Sequence, residues 1–369
     1  MNAGKIAQLL LIVIAFVSVS YAQTSANSDT KKGFILRTGV NVSHWLSQSE
    51  QRGSDREKIN TKKDFEKIAS MGFDHVRLPI DEEQMWNSLG NKEKEAFELM
   101  HKAIKWAFES NLKVIIDLHI IRSHYFNAES NKLWTDPAEQ QKLVSMWFQL
   151  QEELIKYPTD KLAYEILNEA VAENPEDWNS LLNKVITAIR LKEPSRTIVV
   201  GSNRWQITDT FPDLKVPAND KNIILSFHFY SPMAITHHTA PWTSIAEYKG
   251  PVNYPGMSID TANYKGLSKK TIDAFRNGFN GVFNKEVLLK MMKPAIEVAK
   301  KLNLPLYCGE FGVYPKIPED VMLRWYNDMC SIFRENNIAY CHWCYKGDFP
   351  VLNKDESPNK NLVSILTSK

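Results

Sequence analysis

Leu162-Ala163-Tyr164-Glu165-Ile166-Leu167-Asn168-Glu169 and Leu304-Pro305-Leu306-Tyr307-Cys308-Gly309-Glu310-Phe311-Gly312 share one construction, a short apolar run that closes on a glutamate. Runs of this length and apolar content read as strands buried on both faces, which is how parallel strands are packed. Further runs of the same kind lie at residues 35–42, 75–79, 113–119, 197–201, 223–230 and 339–345, so that with 162–168 and 304–310 the chain offers eight strands. Between them fall stretches of helical period at 61–71, 94–110, 137–157, 178–192, 285–302 and 318–336. Asp136-Pro137 and Asn174-Pro175 each set a capping residue before a helix-initiating proline. Strands alternating with helices predict an α/β fold with a parallel sheet, and eight of them predict a single (β/α)8 TIM barrel. Residues 231–284, with Pro232, Pro241, Pro251 and Pro255 among Trp242, Tyr248 and Tyr254, read as a long loop insertion after the sixth strand. A loop of that length in a compact domain is usually functional.

Carboxylates at the C-terminal ends of barrel strands read as catalytic, because the loops of that face build the site. Two of them are what cleavage of a glycosidic bond requires: one protonates the leaving oxygen, and the other attacks the anomeric carbon or activates water. Glu169 and Glu310 therefore predict glycoside hydrolysis. The same face receives Arg77 from the second strand, His119 from the third, Asn168 from the fourth, His228 and Tyr230 from the sixth and Trp343 from the eighth. Arg77 and Tyr230 suit a nucleophilic carboxylate that must stay ionised. Asn168 offers an amide to the sugar 2-hydroxyl, and Trp343 an apolar platform to a pyranose face. Trp242, in the long insertion, is a second candidate platform. No zinc-spaced set of histidines and carboxylates and no phosphate-cradling glycine loop occurs in the sequence, so neither a metal nor a cofactor is expected.

Charged residues make up 24% of the chain with a formal net charge of +2 and no acidic or basic block, which gives a nucleic-acid partner no electrostatic footing and points to a neutral substrate. Lys5, the apolar stretch 9–20 and Ser20-Tyr21-Ala22 have the pattern of a cleaved secretory signal over residues 1–22, leaving a domain at 23–369. The apolar stretch is short for a bilayer span, so a secreted or periplasmic monomer without stable membrane insertion is expected. Cys308, Cys330, Cys341 and Cys344 read mainly as buried thiols. Export to an oxidising compartment leaves one bridge possible, between Cys330 and Cys344.

Phe73-Asp74-His75-Val76-Arg77-Leu78-Pro79, Ile116-Asp117-Leu118-His119, Tyr164-Glu165-Ile166-Leu167-Asn168-Glu169, His228-Phe229-Tyr230, Gly309-Glu310-Phe311-Gly312 and the Trp343 segment, taken in order, resemble the signature segments of glycoside hydrolase family 5. The resemblance runs from about Gly39 to Lys346 and implies a barrel of retaining enzymes, with Glu169 the acid/base and Glu310 the nucleophile. It implies a polysaccharide substrate, a β-glucan cut at internal β-1,4 bonds; mixed-linkage glucan, β-1,3-glucan, xyloglucan and β-mannan are alternatives within the same chemistry. A glycan-binding protein on a dead hydrolase scaffold is the alternative of another class, and it would predict the loss of a catalytic carboxylate. Two departures stand out. Ala170 replaces the proline that commonly follows the acid/base, and His238 stands in the Tyr230-to-Trp242 loop where a glutamine is more usual.

Overall fold

The computed structural model describes residues 33–368 of the chain, and the leader read at residues 1–22 lies outside them. The eight predicted runs are all strands: β1 (Thr38–Asn41), β2 (His75–Ile80), β3 (Lys113–Leu118), β4 (Leu162–Glu165), β5 (Ile198–Gly201), β6 (Ile223–Phe229), β9 (Leu306–Phe311) and β10 (Ala339–His342). They pair in parallel, each with its neighbours in chain order, and β1 pairs with β10 to close the barrel. Two further strands, β7 (Gly256–Met257) and β8 (Val282–Phe283), form a separate antiparallel pair.

Alternation along each strand divides the core in two. One set of side chains, including Val114, Ile116, Leu162, Tyr164, Ile198 and Leu225, joins the large apolar layer shared with the helices. The other set meets inside the barrel, where Ile115, Ala163, Val199, Ile224, Tyr307 and Cys341 pack with Phe34 as a separate plug. Two residues further along the same strands the inward positions turn polar or small: Asp117, Glu165, Gly201, Ser226 and Gly309, with Arg77 and Asn41 from β2 and β1. An apolar plug thus forms the floor of the site, and the layer above it carries the chemistry.

The helices start where local chemistry dictates. Asp136 accepts a hydrogen bond from the Ala138 amide ahead of helix Pro137–Leu154, Asn174 accepts from the Glu176 amide ahead of Pro175–Arg190, and Asn284 from the Val287 amide ahead of Lys285–Leu302. Helix Pro175–Arg190 begins three residues before the apolar period does, at the proline itself. Helices Gly53–Ile59 and Lys360–Thr367 were not read from the sequence; the second is held where Thr38 Oγ1 and Tyr340 Oη both donate to the Leu366 carbonyl. Between β6 and helix Lys285–Leu302 the chain is not a bare loop. It carries a helical turn (Met233–Thr236), the β7–β8 pair and the short helix Lys269–Ala274, elements too brief to leave a periodic signal.

All four cysteines are free and buried, so the possible Cys330–Cys344 bridge is not formed. Cys330 lies in the helix-facing core, whereas Cys344 packs with Trp343 and Phe349 at the barrel mouth and its thiol donates to the Lys346 carbonyl. β10 ends at His342, before the chain reaches Cys344, and this removes the strand geometry on which that pairing depended.

Candidate active site

One arginine organises the polar layer. Arg77 is fully buried; its guanidinium donates to Glu165 (Nε–Oε2 2.7 Å), Asn41 (2.9 Å), Glu310 (Nη1–Oε1 2.8 Å) and Asn168 (2.8 Å), and it forms an ion pair with Asp117 at 2.9 Å. Every donor direction is taken by protein. β2 runs on to Ile80, so Arg77 sits below the rim rather than at a strand end, and it meets Glu310 rather than the open cleft. Asn41, Asp117 and Glu165 were absent from the candidates drawn from the sequence. The available signal was a carboxylate inside an apolar strand, since a charged side chain is rarely fully buried unless paired.

Glu310 reaches the site through a break in the strand pattern. Strict alternation would set it on the same face as Leu306 and Cys308, which point to the helices. However, β9 carries one extra residue opposite β6, where Phe227 pairs with Cys308 and the next residue, His228, pairs with Glu310. The same offset appears against β10. This bulge turns both Gly309 and Glu310 inward. A side chain at Gly309 would not fit, because a Cβ there would stand 2.8 Å from Ser226 Oγ and 3.2 Å from His228 Nε2. Once inside, Glu310 accepts from Arg77 on one oxygen and from the Tyr230 hydroxyl on the other (3.0 Å).

Glu169 lies four residues past the end of β4, on a loop, with φ of +45°. A non-glycine residue in the left-handed region costs on the order of 1 kcal/mol or more, so its neighbours must impose the conformation. Its carboxylate meets His228 Nδ1 at 2.8 Å, and oxygens of Glu169 and Glu310 lie within 4.8 Å of one another. Burial and the charge of Glu310 hold the Glu169 carboxyl well above the usual range. Burial also raises Glu310, but Arg77 and the Tyr230 hydroxyl pull it back, so of the two Glu310 ionises first. The balance of charge gives the same order. Arg77 is in direct contact with Asp117, Glu165 and Glu310, and a single cation cannot neutralise these and Glu169 as well.

The other predicted residues surround the pair. His119 Nδ1 meets Asp117 at 2.7 Å, and its ring stacks on Trp343 with centroids 5.5 Å apart and planes within 9°. Burial pushes the His119 imidazole down to about 4, which keeps it neutral at ordinary pH. With Nδ1–H donated to Asp117, its Nε2 is an acceptor. Asn168 accepts from Arg77 through its oxygen, while its amide nitrogen is buried without a protein partner. Trp343 lies just past the end of β10 and is nearly buried. Trp242 is 49% exposed and packs edge-on against Tyr314 and His237 and tilted against Phe349, which in turn touches Tyr230. His238 is buried against Tyr248.

Among the described residues, ligand atoms of Glu169, His228 and Glu310, one from each, lie within 4.8 Å of one another, close enough to share a cation. Residues from β4's loop, β6 and β9 are distant in sequence, and spacing rules could not unite them. Both Glu310 oxygens already accept a hydrogen bond, so a cation would share them with Arg77 and Tyr230.

A closed (β/α)8 barrel that faces two unlike carboxyl groups across its C-terminal mouth has the makings of a glycoside hydrolase. Residues 31–348 match the family model of cellulase (glycosyl hydrolase family 5), and the chain belongs to that family. It is 32% identical over 346 residues to endoglucanase C of Acetivibrio thermocellus, covering 90% of this chain and 98% of that one. It is 29% identical to cellodextrinase A of Ruminococcus flavefaciens, over 82% and 83% of the two chains. A solved hyperthermophilic endo-β-1,4-glucanase in complex with substrate superposes with a TM-score of 0.74 at 25% identity, covering 92% of this chain and 99% of that one. The protein is a glycoside hydrolase.

Proposed function

We propose that this hydrolase cuts internal β-1,4 bonds of a neutral glucan by double displacement, with Glu310 as nucleophile and Glu169 as acid/base. The observation that carries the reading is the unlike setting of two carboxyl groups whose oxygens lie within 4.8 Å. That distance accords with the spacing of about 5–5.5 Å of a retaining pair, against about 6.5–9.5 Å where a water must fit between. In the first step a Glu310 oxygen attacks the anomeric carbon while Glu169 passes its proton to the departing glycosidic oxygen. Water then attacks the same carbon, gives its proton to Glu169, and frees Glu310. His228 holds one Glu169 oxygen and leaves the other for the proton in transit. The unpartnered Asn168 amide is the donor to the sugar 2-hydroxyl, His119 Nε2 accepts from a sugar hydroxyl, and the Trp343 ring supports the bound sugar. Endo action on β-1,4-glucan follows the relatives' names, and the cellodextrinase among them favours a second reading in which short oligosaccharides are the preferred substrate. The pattern at residues 1–22 supports work outside the cytoplasm, and among the described residues no helix is long and apolar enough to cross a membrane. The reading is of a monomer needing no metal.

The roles separate in two variants. Glu310→Gln should abolish turnover on every substrate. Glu169→Gln should lose about 10²- to 10⁴-fold in kcat/KM on cellooligosaccharides and much less on an aryl glycoside with a good leaving group, which needs little protonation. Equal losses for both variants on the aryl glycoside would overturn the assignment. Product lengths from cellulose derivatives, mixed-linkage glucan, β-1,3-glucan, xyloglucan and mannan decide substrate and mode.

A further inference from the structure

The loop that bears Glu169 has little secondary structure of its own, yet several of its backbone polar groups are held by groups from elsewhere in the chain. Gln206 Oε1 accepts the Glu169 amide at 2.9 Å. The Ala170 carbonyl accepts from the Trp205 amide, and the Asn203 side chain takes both the amide and the carbonyl of Ala172, at 2.8 and 2.9 Å. His124 Nε2 accepts the Val171 amide at 3.1 Å. Residues 203–206, just past β5, thus form the main clamp on the loop, and Arg204, Trp205 and Gln206 are themselves all in the left-handed region, with φ of 52°, 61° and 55°. Three successive non-glycine residues of that kind are costly. What this conformation achieves is to turn the Gln206 side chain inward over Gly201, where a Cβ would stand 2.2 Å from Gln206 Cγ.

Gln206 is fully buried, and its amide nitrogen meets Ser226 Oγ at 3.2 Å. Ser226, His228 and Tyr230 are two apart along β6 and its end, on one face. That face fixes the whole reaction geometry: Ser226 holds Gln206, His228 holds the Glu169 carboxylate, and Tyr230 holds Glu310.

We propose that Gln206 is a positioning residue for proton transfer, fixing Glu169 in its left-handed conformation and so aiming its carboxyl at the glycosidic oxygen. The proposal rests on Glu169 being the acid/base. Without the Gln206 acceptor the Glu169 amide would be orphaned, the φ of +45° would lose its restraint, and the carboxyl would swing about a backbone that prefers other conformations.

The test compares wild type, Q206M and E169Q by kcat/KM on a cellooligosaccharide and on an aryl β-cellobioside with a good leaving group, together with melting temperatures. Methionine keeps the length of the side chain and removes the acceptor. Because kcat/KM reads through the glycosylation step, the ratio of aryl to oligosaccharide values reports how well the acid is aimed. In Q206M that ratio should rise about tenfold or more, the effect of leaving one buried amide unpaired in the transition state. In E169Q it should rise further. A raised ratio in E169Q with an unchanged ratio in Q206M, or with parallel losses on both substrates, overturns the role of Gln206 alone. An unchanged ratio in E169Q overturns the acid/base reading and this proposal with it. If Q206M does not fold, S226A, which frees the far end of Gln206, should raise the ratio a few-fold, and a wild-type ratio in S226A would equally overturn the proposal.

Discussion

At the scale of single residues, the site is a problem of charge. Asp117, Glu165, Glu169 and Glu310 are buried around one guanidinium, and burial raises all four carboxyl groups. A proton must therefore be retained somewhere, and the geometry determines where. Glu310 touches Arg77, while Glu169 touches a histidine whose own burial keeps it neutral, so the proton rests on Glu169. The proposed division of labour between acid and nucleophile would thus follow from which carboxylate the arginine can reach. The sign of a testable shift comes with it. Glu310 is a like charge that favours the protonated form of Glu169, so removing that charge must lower the Glu169 pKa. In Glu310→Gln the Glu169 carboxyl, followed by carbon NMR across a pH titration, should titrate below its wild-type value. An unchanged or higher value would show that Glu310 is not ionised in the resting enzyme.

At the scale of elements, the bulge in β9 decides whether the second carboxylate is in the site or in the helix layer. Gly309 is the residue that permits it, since any Cβ would press on Ser226 and His228. Gly309→Ala should cost about 1–3 kcal/mol of stability, as overpacking of a tight site does, and should depress activity far more than a loss of folded protein explains. Denaturant unfolding and kcat/KM measured on the same sample check this; a stable, fully active variant would contradict the role given to the bulge. The same element marks the limit of what the sequence displayed. All eight barrel strands, and the six long helices between them, stood out because parallel strands and amphipathic helices leave strong apolar periods. Both glutamates could be seen at the ends of their runs. The bulge could not, because one inserted residue leaves no trace in a period-2 pattern that it interrupts. Asp117 and Glu165 were likewise hidden, since their meaning depends on an arginine 40 and 88 positions away, and so was Gln206, a polar residue in an irregular turn. The elements between β6 and the next helix were too short to announce themselves.

At the scale of the whole molecule, the barrel supplies a rigid floor and the segments beyond its strands decide how much substrate is grasped. Trp242 comes from the segment after β6 and joins Tyr314, Phe349 and His237 in an aromatic cluster whose inner edge is Tyr230, the partner of Glu310. Half its surface remains open although its edges are packed. An indole held in this way at a cleft can serve as a sugar platform because its orientation is fixed before substrate arrives and little entropy is lost on stacking. It could equally be an anchor that ties the segment to the barrel. The two roles differ in what they do to substrates of different length, since binding energy remote from the reacting bond counts only for a substrate long enough to reach it. Trp242→Ala is therefore expected to lower kcat/KM on polysaccharide about tenfold or more, the equivalent of roughly 1.4 kcal/mol, while a small aryl glycoside and the melting temperature change little. A drop in melting temperature with parallel losses on both substrates would make Trp242 an anchor and shift the search for the platform to the other exposed aromatic residues, Tyr125 and Trp205.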